Sequence, residues 1–293
     1  MISIIISSHN ELNFKQIEAN IDQTLGEDFE IIKIENQNQM GICAAYNLGA
    51  TKAIYEYVCF CHEDILFHTQ NWGKLLVDLF DKDKNIGLIG LAGSSYKPLI
   101  PSGWSFPASP LISMNVIQND PNLISLPAHQ QKINKNHPPT PAATIDGCFM
   151  ATKTSLWKNN QFDEKTFDNY HCYDLDFSLS IGKTHQVVVA NNILISHLSS
   201  GGFTEKWLAE TYKLHKKWKN DLPRATENLS RKEKNNEELG AYQFLMLKTH
   251  QLKYRRLSLF NVLFKVKTLK ALGWRNWAIS LLKTIYYLPK NII

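Results

Sequence analysis

The stretch YVCFCHED, residues 57–64, decides the fold prediction. Its first five residues are aromatic, β-branched or small and apolar, which is the composition of a buried strand. The polarity changes within one residue at His62, and two carboxylates follow, Glu63 and Asp64. In open α/β sheets ligands bind beyond the carboxyl ends of strands, where adjacent carboxylates suit a divalent cation shared with a phosphate. The same pattern alone also fits an ordinary solvated strand end, so the neighbouring elements must separate the two interpretations.

Two similar strands precede this stretch. Consecutive isoleucines between Ser3 and Ser7 predict a strand that is buried on both faces, and a second strand is predicted from Phe29 to Ile34. Each is followed by residues at helical spacing, with Asn13 as a plausible cap of the first helix. Strands that alternate with helices predict right-handed parallel crossovers and therefore an α/β fold with a mostly parallel sheet. Such a sheet brings the strand ends at Glu11, Glu35 and Asp64 to one edge.

Composition limits the class of protein. The chain has 293 residues, of which 44% are hydrophobic and 20% charged, so it can form one large domain or a domain with an appendage, and disorder is excluded for most of it. Its five cysteines are odd in number, and Cys59 and Cys61 lie too close along one strand for an easy disulfide. The start of the sequence lacks a basic region and a cleavage site. These features predict reduced thiols and a cytoplasmic protein.

Charge is distributed unevenly along the chain. From Gln251 to Ile293 there are nine Lys or Arg residues and no Asp or Glu; subtracting these nine charges from the total of +5 leaves −4 for the first 250 residues. An acidic body with a cationic C-terminal segment is not the pattern of a nucleic-acid-binding protein, so no nucleic-acid partner is expected. The cationic segment is expected to have a partner of its own.

Residues that could bind a substrate or take part in catalysis also occur between residues 92 and 197. Prolines and glycines punctuate the region 92–141 and predict an irregular binding loop or lid, with Trp104 and Phe106 as its stacking surface. A strand is predicted across Asp146 and Gly147, a helix from about Asp174 to Gly182, and short strands that end at His197. The simpler interpretations are acids at a helix N-terminus, a surface histidine, a bulge glycine and loop packing.

The motif order makes a more specific interpretation available. The sequence resembles the inverting nucleotide-sugar glycosyltransferases of the large family two over roughly residues 1 to 200, and within them the bacterial subgroup with a His-Gln-Asp type sequence in place of Asp-x-Asp. The segments that carry the resemblance are SIIISSHNE (3–11), MGICAAYNLGATKA (40–53), YVCFCHED (57–64), IDGCFMATKTSLW (145–157), YHCYDLDFSL (170–179) and SHLSSGG (196–202). The resemblance implies the GT-A fold, a Rossmann-like sheet flanked by helices, with a C-terminal helical appendage in this chain.

The resemblance also implies roles for individual residues. The donor would be bound by residues that match the family's motifs, with the base and ribose at the first three: Asn10, Glu11, Glu35, Gly41, Asn47, His62, Glu63, Asp64, Asp146 and Gly147. Asp64 and His197 match the metal ligands, for Mn²⁺ or Mg²⁺. His62 stands where the family has an acid. It can donate to a ribose hydroxyl or ligate a transition metal but brings no negative charge for Mg²⁺, so metal identity stays open. Asp174 matches the catalytic base, although Tyr173 replaces the preceding Glu, and Asp176 is the second choice of base. Trp104 and Asp176 are also candidate contacts of the acceptor.

Beyond Gly202 the sequence predicts a helix and a charged connector over 203–238 and a basic amphipathic helical region over 239–293. The apolar stripe of that region is expected to contain Leu259, Val262, Val266 and Leu269, and then Trp274, Trp277, Leu281 and Leu288. Tryptophan beside basic residues fits a helix in an anionic leaflet, on the inner face of the cell membrane. A helical subdomain or a dimer interface fits the pattern equally well.

The function predicted from these observations is an inverting, hexosyltransferase-like enzyme that transfers a sugar from a nucleotide-sugar donor to a hydroxyl of a glycan or glycolipid, in bacterial surface polysaccharide synthesis. A second hypothesis, based on the departures at His62 and Tyr173, is a catalytically inactive nucleotide-sugar or glycan-binding module. A sugar-phosphate nucleotidylyltransferase would need a glycine-rich phosphate loop with basic residues, and residues 7–11 are not such a loop.

Overall fold

The strand that contains YVCFCH lies inside a seven-stranded sheet, between two other strands. The structure is a computed structural model that describes residues 1–106, 109–118, 138–199 and 202–287. The strands are β1 (Ile2–Ser8), β2 (Phe29–Glu35), β3 (Tyr57–His62), β4 (Ile65–Phe67), β5 (Ile86–Gly90), β6 (Ala92–Ser94), β7 (Tyr96–Lys97), β8 (Ile112–Met114), β9 (Val116–Gln118), β10 (Thr140–Pro141), β11 (Thr144–Ile145), β12 (Phe149–Lys153), β13 (Gln186–Val189), β14 (Ile195–His197) and β15 (Arg224–Ala225).

Ten helices occur among the described residues. They are α1 (Glu11–Thr24), α2 (Ile42–Ala50), α3 (Trp72–Lys82), α4 (Thr154–Asn159), α5 (Tyr173–Ile181), α6 (Glu205–Lys217), α7 (Arg231–Gln251), α8 (Ser258–Leu263), α9 (Val266–Leu272) and α10 (Trp274–Tyr286). By its internal contacts the chain divides into two units. The first contains Met1–Ser95 and Ile112–Gly201, and the second contains Tyr96–Leu111 and Gly202–Ile293.

The large sheet of the first unit is mixed but mostly parallel, in the order β10-β13-β5-β12-β3-β1-β2. β1 is parallel to β2 and β3, and β13 is parallel to β5. β12 runs antiparallel to both β3 and β5, and β10 antiparallel to β13. Ile4, Ile5 and Ile6 of β1 are fully buried, as the consecutive isoleucines predicted.

Two three-stranded sheets complete the first unit. One has the order β11-β6-β8 and the other β4-β14-β9. β4 begins directly after Asp64 and pairs with β14 in an antiparallel register that sets Ile65 opposite His197. This small sheet therefore carries a residue from the end of the first unit to the carboxyl end of β3.

The region 92–141 differs from the sequence prediction, which treated it as irregular throughout. Five short strands, β6 to β10, lie in it, and residues 119–137 are outside the described residues. These strands are two or three residues long, which is too short for a periodic sequence signal. The single strand predicted across Asp146 is likewise two strands, β11 and β12, separated by residues 146–148.

The second unit has its own hydrophobic core. It packs residues of the 96–111 segment, Ile100 and Phe106, with apolar side chains of α6, α7, α8 and α9. Residues 96–111 thus belong by their contacts with 202–293, whereas the sequence placed them in a loop of the first domain. Phe106, expected as a stacking surface, is only 6% exposed.

Charged composition was misleading in the predicted connector. α7 begins at Arg231, with a capping box between Ser230 and Glu233. The predicted boundary between the connector and the helical region, between residues 238 and 239, falls inside this helix. Glu237 and Glu238 are buried. Glu238 accepts hydrogen bonds from the Tyr96 hydroxyl at 2.8 Å and from two backbone N–H groups, which offset the cost of burying a carboxylate.

The C-terminal helices also differ from the predicted pattern. Three helices occur where two were expected, and Leu259 and Val262 are buried while Val266 and Leu269 are exposed. In α10 the predicted faces are partly reversed, because Thr284 is buried and Trp274 is exposed; Leu288 lies outside the described residues. Among the described residues, no helix has the length and apolar character needed to cross a bilayer.

Candidate active site

Three potential metal ligands converge at the carboxyl end of β3. His62 is the last residue of that strand, and Asp64 follows in the turn before β4. β14 places His197 beside them, so that its Nε2 atom lies 3.4 Å from Oδ1 of Asp64. Nδ1 of His62 lies 3.9 Å from the same oxygen. One atom from each of the three residues lies within 4.8 Å of the others. The sequence paired Asp64 with His197, and the structure adds His62.

The protonation states of Asp64 and His62 suit metal binding. Burial would raise the pKa of Asp64, but the hydrogen bond and positive charge of His197, together with His62, hold that pKa below its usual range. Burial and the neighbouring His197 lower the pKa of His62. An ionised carboxylate and a neutral imidazole are the forms that coordinate a cation. The pKa of His197 shifts in the opposite direction. Burial lowers it, but the hydrogen bond and negative charge of Asp64 raise it more.

A hydrogen-bond chain orients the His62 ring. Nε2 of His62 lies 2.7 Å from the Tyr173 hydroxyl, which lies 3.1 Å from the Gly147 carbonyl oxygen. The hydroxyl has a single proton, and all three groups are satisfied when Nε2–H donates to Tyr173 and Tyr173 donates to Gly147. The lone pair of Nδ1 then faces Asp64. Metal-binding histidines are oriented in this way by a partner on the second ring nitrogen.

The absence of a side chain at Gly147 leaves room for the Tyr173 hydroxyl in this hydrogen-bond chain. A Cβ atom at this position would lie 2.2 Å from the Tyr173 hydroxyl oxygen. The glycine was predicted as a donor-pocket residue, and its contact in the structure is with Tyr173. Tyr173 itself appeared in the sequence only as a departure from the family pattern, so its contact with His62 was not predicted.

Glu63, the middle residue of the motif, is turned to the other side of the strand end. Its carboxylate is 5% exposed and lies 2.7 Å from Nδ1 of His9. It also accepts hydrogen bonds from the backbone N–H groups of His9 and Asn10, at 3.3 and 3.2 Å. Glu63 therefore fixes the loop between β1 and α1, and His9 acquires a partner that the sequence did not predict for it.

Asp146 and Asp174 form the acidic side of the site. Asp146 accepts a hydrogen bond from the Cys148 N–H at 2.8 Å, and its charge affects the pKa values of His62, His197 and Asp174. Asp174 lies in the first turn of α5 and is buried. Burial and the negative charge of Asp146 raise the pKa of Asp174 to about 7, against the opposing effect of backbone N–H groups. A carboxylate with this pKa is suited to general base catalysis near neutral pH.

Asp176 lies on another side of α5. Residues two apart do not share a helix face, and Asp176 is the charged neighbour that most raises the pKa of the Cys43 thiol of α2, after burial itself. α5 begins after Cys172, a residue with a left-handed φ of 63°, which is uncommon for a side chain with a Cβ and recurs at functional sites.

The acids predicted at the first two strand ends meet through a lysine. Nζ of Lys33 lies 2.5 Å from Oε2 of Glu11 and 3.5 Å from Oε1 of Glu35. Glu11 and Glu35 are exposed at the outer edge of the sheet. Lys33 was not singled out in the sequence, since a lysine in the middle of a strand resembles an ordinary solvent-facing residue.

Asn10 is the N-cap of α1, where the sequence suggested Asn13. Its side-chain oxygen accepts from the N–H groups of Leu12 and Asn13 at 3.0 and 3.3 Å. The side-chain nitrogen takes no part in these two bonds and is available for the predicted donor contact.

Asn47 and Gly41 of the α2 region have structural neighbours. The side-chain nitrogen of Asn47 donates to the Phe162 carbonyl at 2.9 Å and to Glu164 at 3.1 Å, and its oxygen accepts from Trp157 and from the Phe162 N–H. A Cβ atom at Gly41 would lie 2.4 Å from the Asp168 carbonyl oxygen. Both polar atoms of Asn47 are thus occupied by protein groups.

Trp104, the predicted acceptor residue, belongs to the second unit and is half-buried.

Comparisons with known proteins identify the family of this chain. The family described as "Glycosyltransferase like family" matches residues 3–221, about three quarters of the chain. The chain belongs to this family. Among curated protein sequences, none matches it. Among solved structures, GalNAc-T7 with UDP, GalNAc and Mn²⁺ is 12% identical with a TM-score of 0.50, and the match covers 88% of this chain.

The match to GalNAc-T7 spans 57% of that protein's chain. S. aureus TarS 1-349 in complex with UDP-GlcNAc is 11% identical with a TM-score of 0.45, over 99% of this chain and 82% of the other. The family membership and the fold shared with GalNAc-T7 confirm the predicted α/β GT-A fold with C-terminal helices. Membership of the narrower bacterial subgroup, in which a His-Gln-Asp type sequence such as His62-Glu63-Asp64 replaces Asp-x-Asp, stays a prediction.

Proposed function

We propose that this chain transfers a sugar from a nucleotide-sugar donor to a hydroxyl group of a glycan or glycolipid, with inversion at the anomeric carbon. The observation that carries the proposal is the convergence of His62, Asp64 and His197 at the carboxyl end of β3, with the buried Asp174 sharing Asp146 as a charged neighbour. These residues come from β3, the β3–β4 turn, β14 and α5. Such convergence at a sheet edge is expected of a site rather than of four unrelated surface residues.

The residues present fit a divalent cation. His62, Asp64 and His197 would hold it with two imidazole nitrogens and one carboxylate oxygen. This ligand set favours a transition metal such as Mn²⁺ over Mg²⁺, which prefers oxygen ligands. When bound, the cation would neutralise negative charge that develops on the leaving diphosphate.

Asp174 is proposed as the general base. As the acceptor hydroxyl attacks the anomeric carbon, its proton would pass to a carboxylate oxygen of Asp174, and the bond from that carbon to the diphosphate oxygen would break. A pKa of about 7 leaves a substantial ionised fraction at neutral pH and a conjugate acid that is not too weak. One base without an enzymic nucleophile gives a single displacement and therefore inversion.

The nucleoside is proposed to lie along the strand ends at Glu11 and Glu35, near Asn10. Lys33 joins the two carboxylates and would either stay paired with them or turn toward a donor phosphate. Glu63 would act indirectly, since its hydrogen bonds fix the loop that carries Asn10.

The wider biological setting is also proposed. A cytoplasmic location is supported by five cysteines that are all buried and free of disulfides. A role in surface polysaccharide synthesis, a homo-oligomeric state and a catalytic domain that ends at residue 202 are proposals from the sequence.

Release of a nucleoside diphosphate tests the proposed activity. A panel of nucleotide sugars is first screened by thermal shift, because a ligand that binds only the folded state raises the melting temperature. Binding donors are then incubated with Mn²⁺ and glycan acceptors, and the anomeric configuration of the product is determined by NMR. Wild type is expected to release nucleoside diphosphate, and Asp174→Asn to bind donor without releasing it. A donor that stabilises wild type but is never consumed with any acceptor would favour the binding-module hypothesis.

A further inference from the structure

The helix α10 buries two polar residues and exposes several apolar ones. Ser280 and Thr284 are each 2% exposed, and the Thr284 hydroxyl lies 2.6 Å from that of Tyr242 in α7. Leu282 is 68% exposed and Tyr286 is 81% exposed. Trp277 and Leu281 pack on the core of the second unit, so the exposed apolar residues form an additional apolar side, which an ordinary surface helix lacks. Exposure of these apolar side chains to water is unfavourable, so we expect a partner that covers them.

The exposed apolar residues share one face of α10. At 100° per residue, Ile279, Leu282 and Tyr286 follow one another at spacings of three and four, with Ile285 beside them. Trp274, which is 77% exposed, lies at the beginning of the helix. Together these residues form a stripe opposite the buried Ser280 and Thr284. We call the face made by Trp274, Ile279, Leu282, Ile285 and Tyr286 the outer face of α10.

Cations occur on this helix and on its neighbour. Arg275 and Lys283 of α10 are exposed within and beside the outer face, and Lys265, Lys267 and Lys270 are exposed in and next to α9, which packs on α10. α8, α9 and α10 contain no acidic residue. α9 also exposes Val266 and Leu269 among its lysines. Aromatic and aliphatic side chains interleaved with lysine and arginine fit an interface in which acyl chains lie beneath anionic headgroups.

Charge argues against the same face binding a second copy of the chain. Such a contact would bring together two pairs of helices that each carry five cations and no acid, and like charges in contact are unfavourable. An anionic bilayer supplies both the negative charge and the apolar environment.

We propose that the outer face of α10, with the cations of α9 and α10, docks on an anionic lipid bilayer. The helix lies in the plane of the interface, and Leu282 and Ile285 enter the acyl boundary while Arg275 and Lys283 contact headgroup phosphates. This docking does not depend on sugar transfer, so either proposal can fail without the other.

Vesicle flotation of the full chain tests the proposal without donor or metal. Wild type is expected to float with vesicles of phosphatidylcholine mixed with phosphatidylglycerol, to bind weakly to phosphatidylcholine alone, and to dissociate as salt is raised. Leu282→Glu with Ile285→Glu is expected to reduce partitioning by more than about tenfold, because two buried aliphatic side chains are lost. The matched control is Ile54→Glu, which changes an exposed isoleucine, 73% accessible, in the first unit.

A second pair of variants tests the charge requirement at exposed positions that should not affect folding. Arg275→Glu with Lys283→Glu is expected to weaken binding to anionic vesicles by about fivefold or more for each cation lost, with an unchanged melting temperature. Equal flotation of wild type with neutral and anionic vesicles, or equal flotation of wild type and both double variants, would overturn the proposal. It would also be overturned by sedimentation showing a wild-type dimer that Leu282→Glu with Ile285→Glu dissociates, without vesicle binding by either.

Discussion

Oδ1 of Asp64 lies 3.4 Å from Nε2 of His197, although the two residues are far apart in the sequence. The pairing of β4 with β14 produces this contact, since it sets Ile65 opposite His197. The contact holds the pKa of Asp64 below its usual range against the effect of burial, and so keeps an ionised ligand at the edge of the sheet.

Removing this carboxylate is expected to abolish the proposed metal site. Asp64→Ala leaves two imidazoles without the charged ligand, and Mn²⁺ affinity should fall by more than about 100-fold, since even supporting residues of metal sites contribute 10- to 100-fold. Isothermal titration calorimetry of the protein with Mn²⁺ measures this directly. Asp78→Ala, at an exposed position of α3, is the control and should bind as wild type does. Unchanged affinity in Asp64→Ala would remove the cation site.

His62 is expected to set metal preference. His62→Asp replaces a nitrogen ligand with a carboxylate, which supplies the negative charge that Mg²⁺ prefers. The ratio of Mg²⁺ to Mn²⁺ affinity should therefore rise relative to wild type. Competition between the two ions, followed by the EPR signal of free Mn²⁺, measures this ratio. The same ratio in both proteins would show that His62 is not a ligand.

Tyr173 is expected to act as a positioning residue for His62. Tyr173→Phe removes the hydroxyl between His62 and Gly147 but keeps the ring, and Mn²⁺ affinity should fall about 10- to 100-fold. The coordination spectrum of Co²⁺ should also change, which loss of packing alone would not cause. Tyr212→Phe, which loses a hydroxyl contact to Ser258 in the second unit, is the matched control and should alter neither readout.

As pH increases, ionisation of Asp174 is expected to raise the transfer activity and to lower the free energy of unfolding. Its folded pKa of about 7 lies above the usual value of 3.8, so the folded protein retains a proton between these values that the unfolded chain releases. The resulting destabilisation is absent below about pH 4 and reaches up to about 4 kcal/mol above about pH 7. Activity should rise with pH through about 7, as the ionised base forms.

Asp174→Asn should therefore be less active but more stable. Transfer is expected to fall by about 100-fold or more. In the presence of EDTA, thermal denaturation should give a higher melting temperature than wild type above about pH 7 and little difference near pH 4. Full activity would exclude Asp174 as the base, and a lower melting temperature at high pH would contradict the pKa shift.

Local sequence determined much of the sheet. The run of isoleucines in β1 and the apolar run in β3 are explained by burial on both faces, and the change to polar residues at His62 marks the true end of the strand. The antiparallel β12 could not be predicted, because a short buried strand has the same composition in either direction. The charge of Glu237 and Glu238 indicated solvent, whereas hydrogen bonds from the 96–109 segment make their burial tolerable.

By itself, the sequence determined which residues could do chemistry: the acids and histidines that follow apolar strands, and the cationic composition of the C-terminal segment. The tertiary structure decided which of them act together. It placed His62 beside Asp64 and His197, and it bonded Glu63 to the backbone N–H groups of His9 and Asn10. It also left an apolar face of α10 exposed. The physical reason is that side-chain chemistry and strand burial are local properties, whereas partners are chosen by strand pairing and helix packing between distant segments.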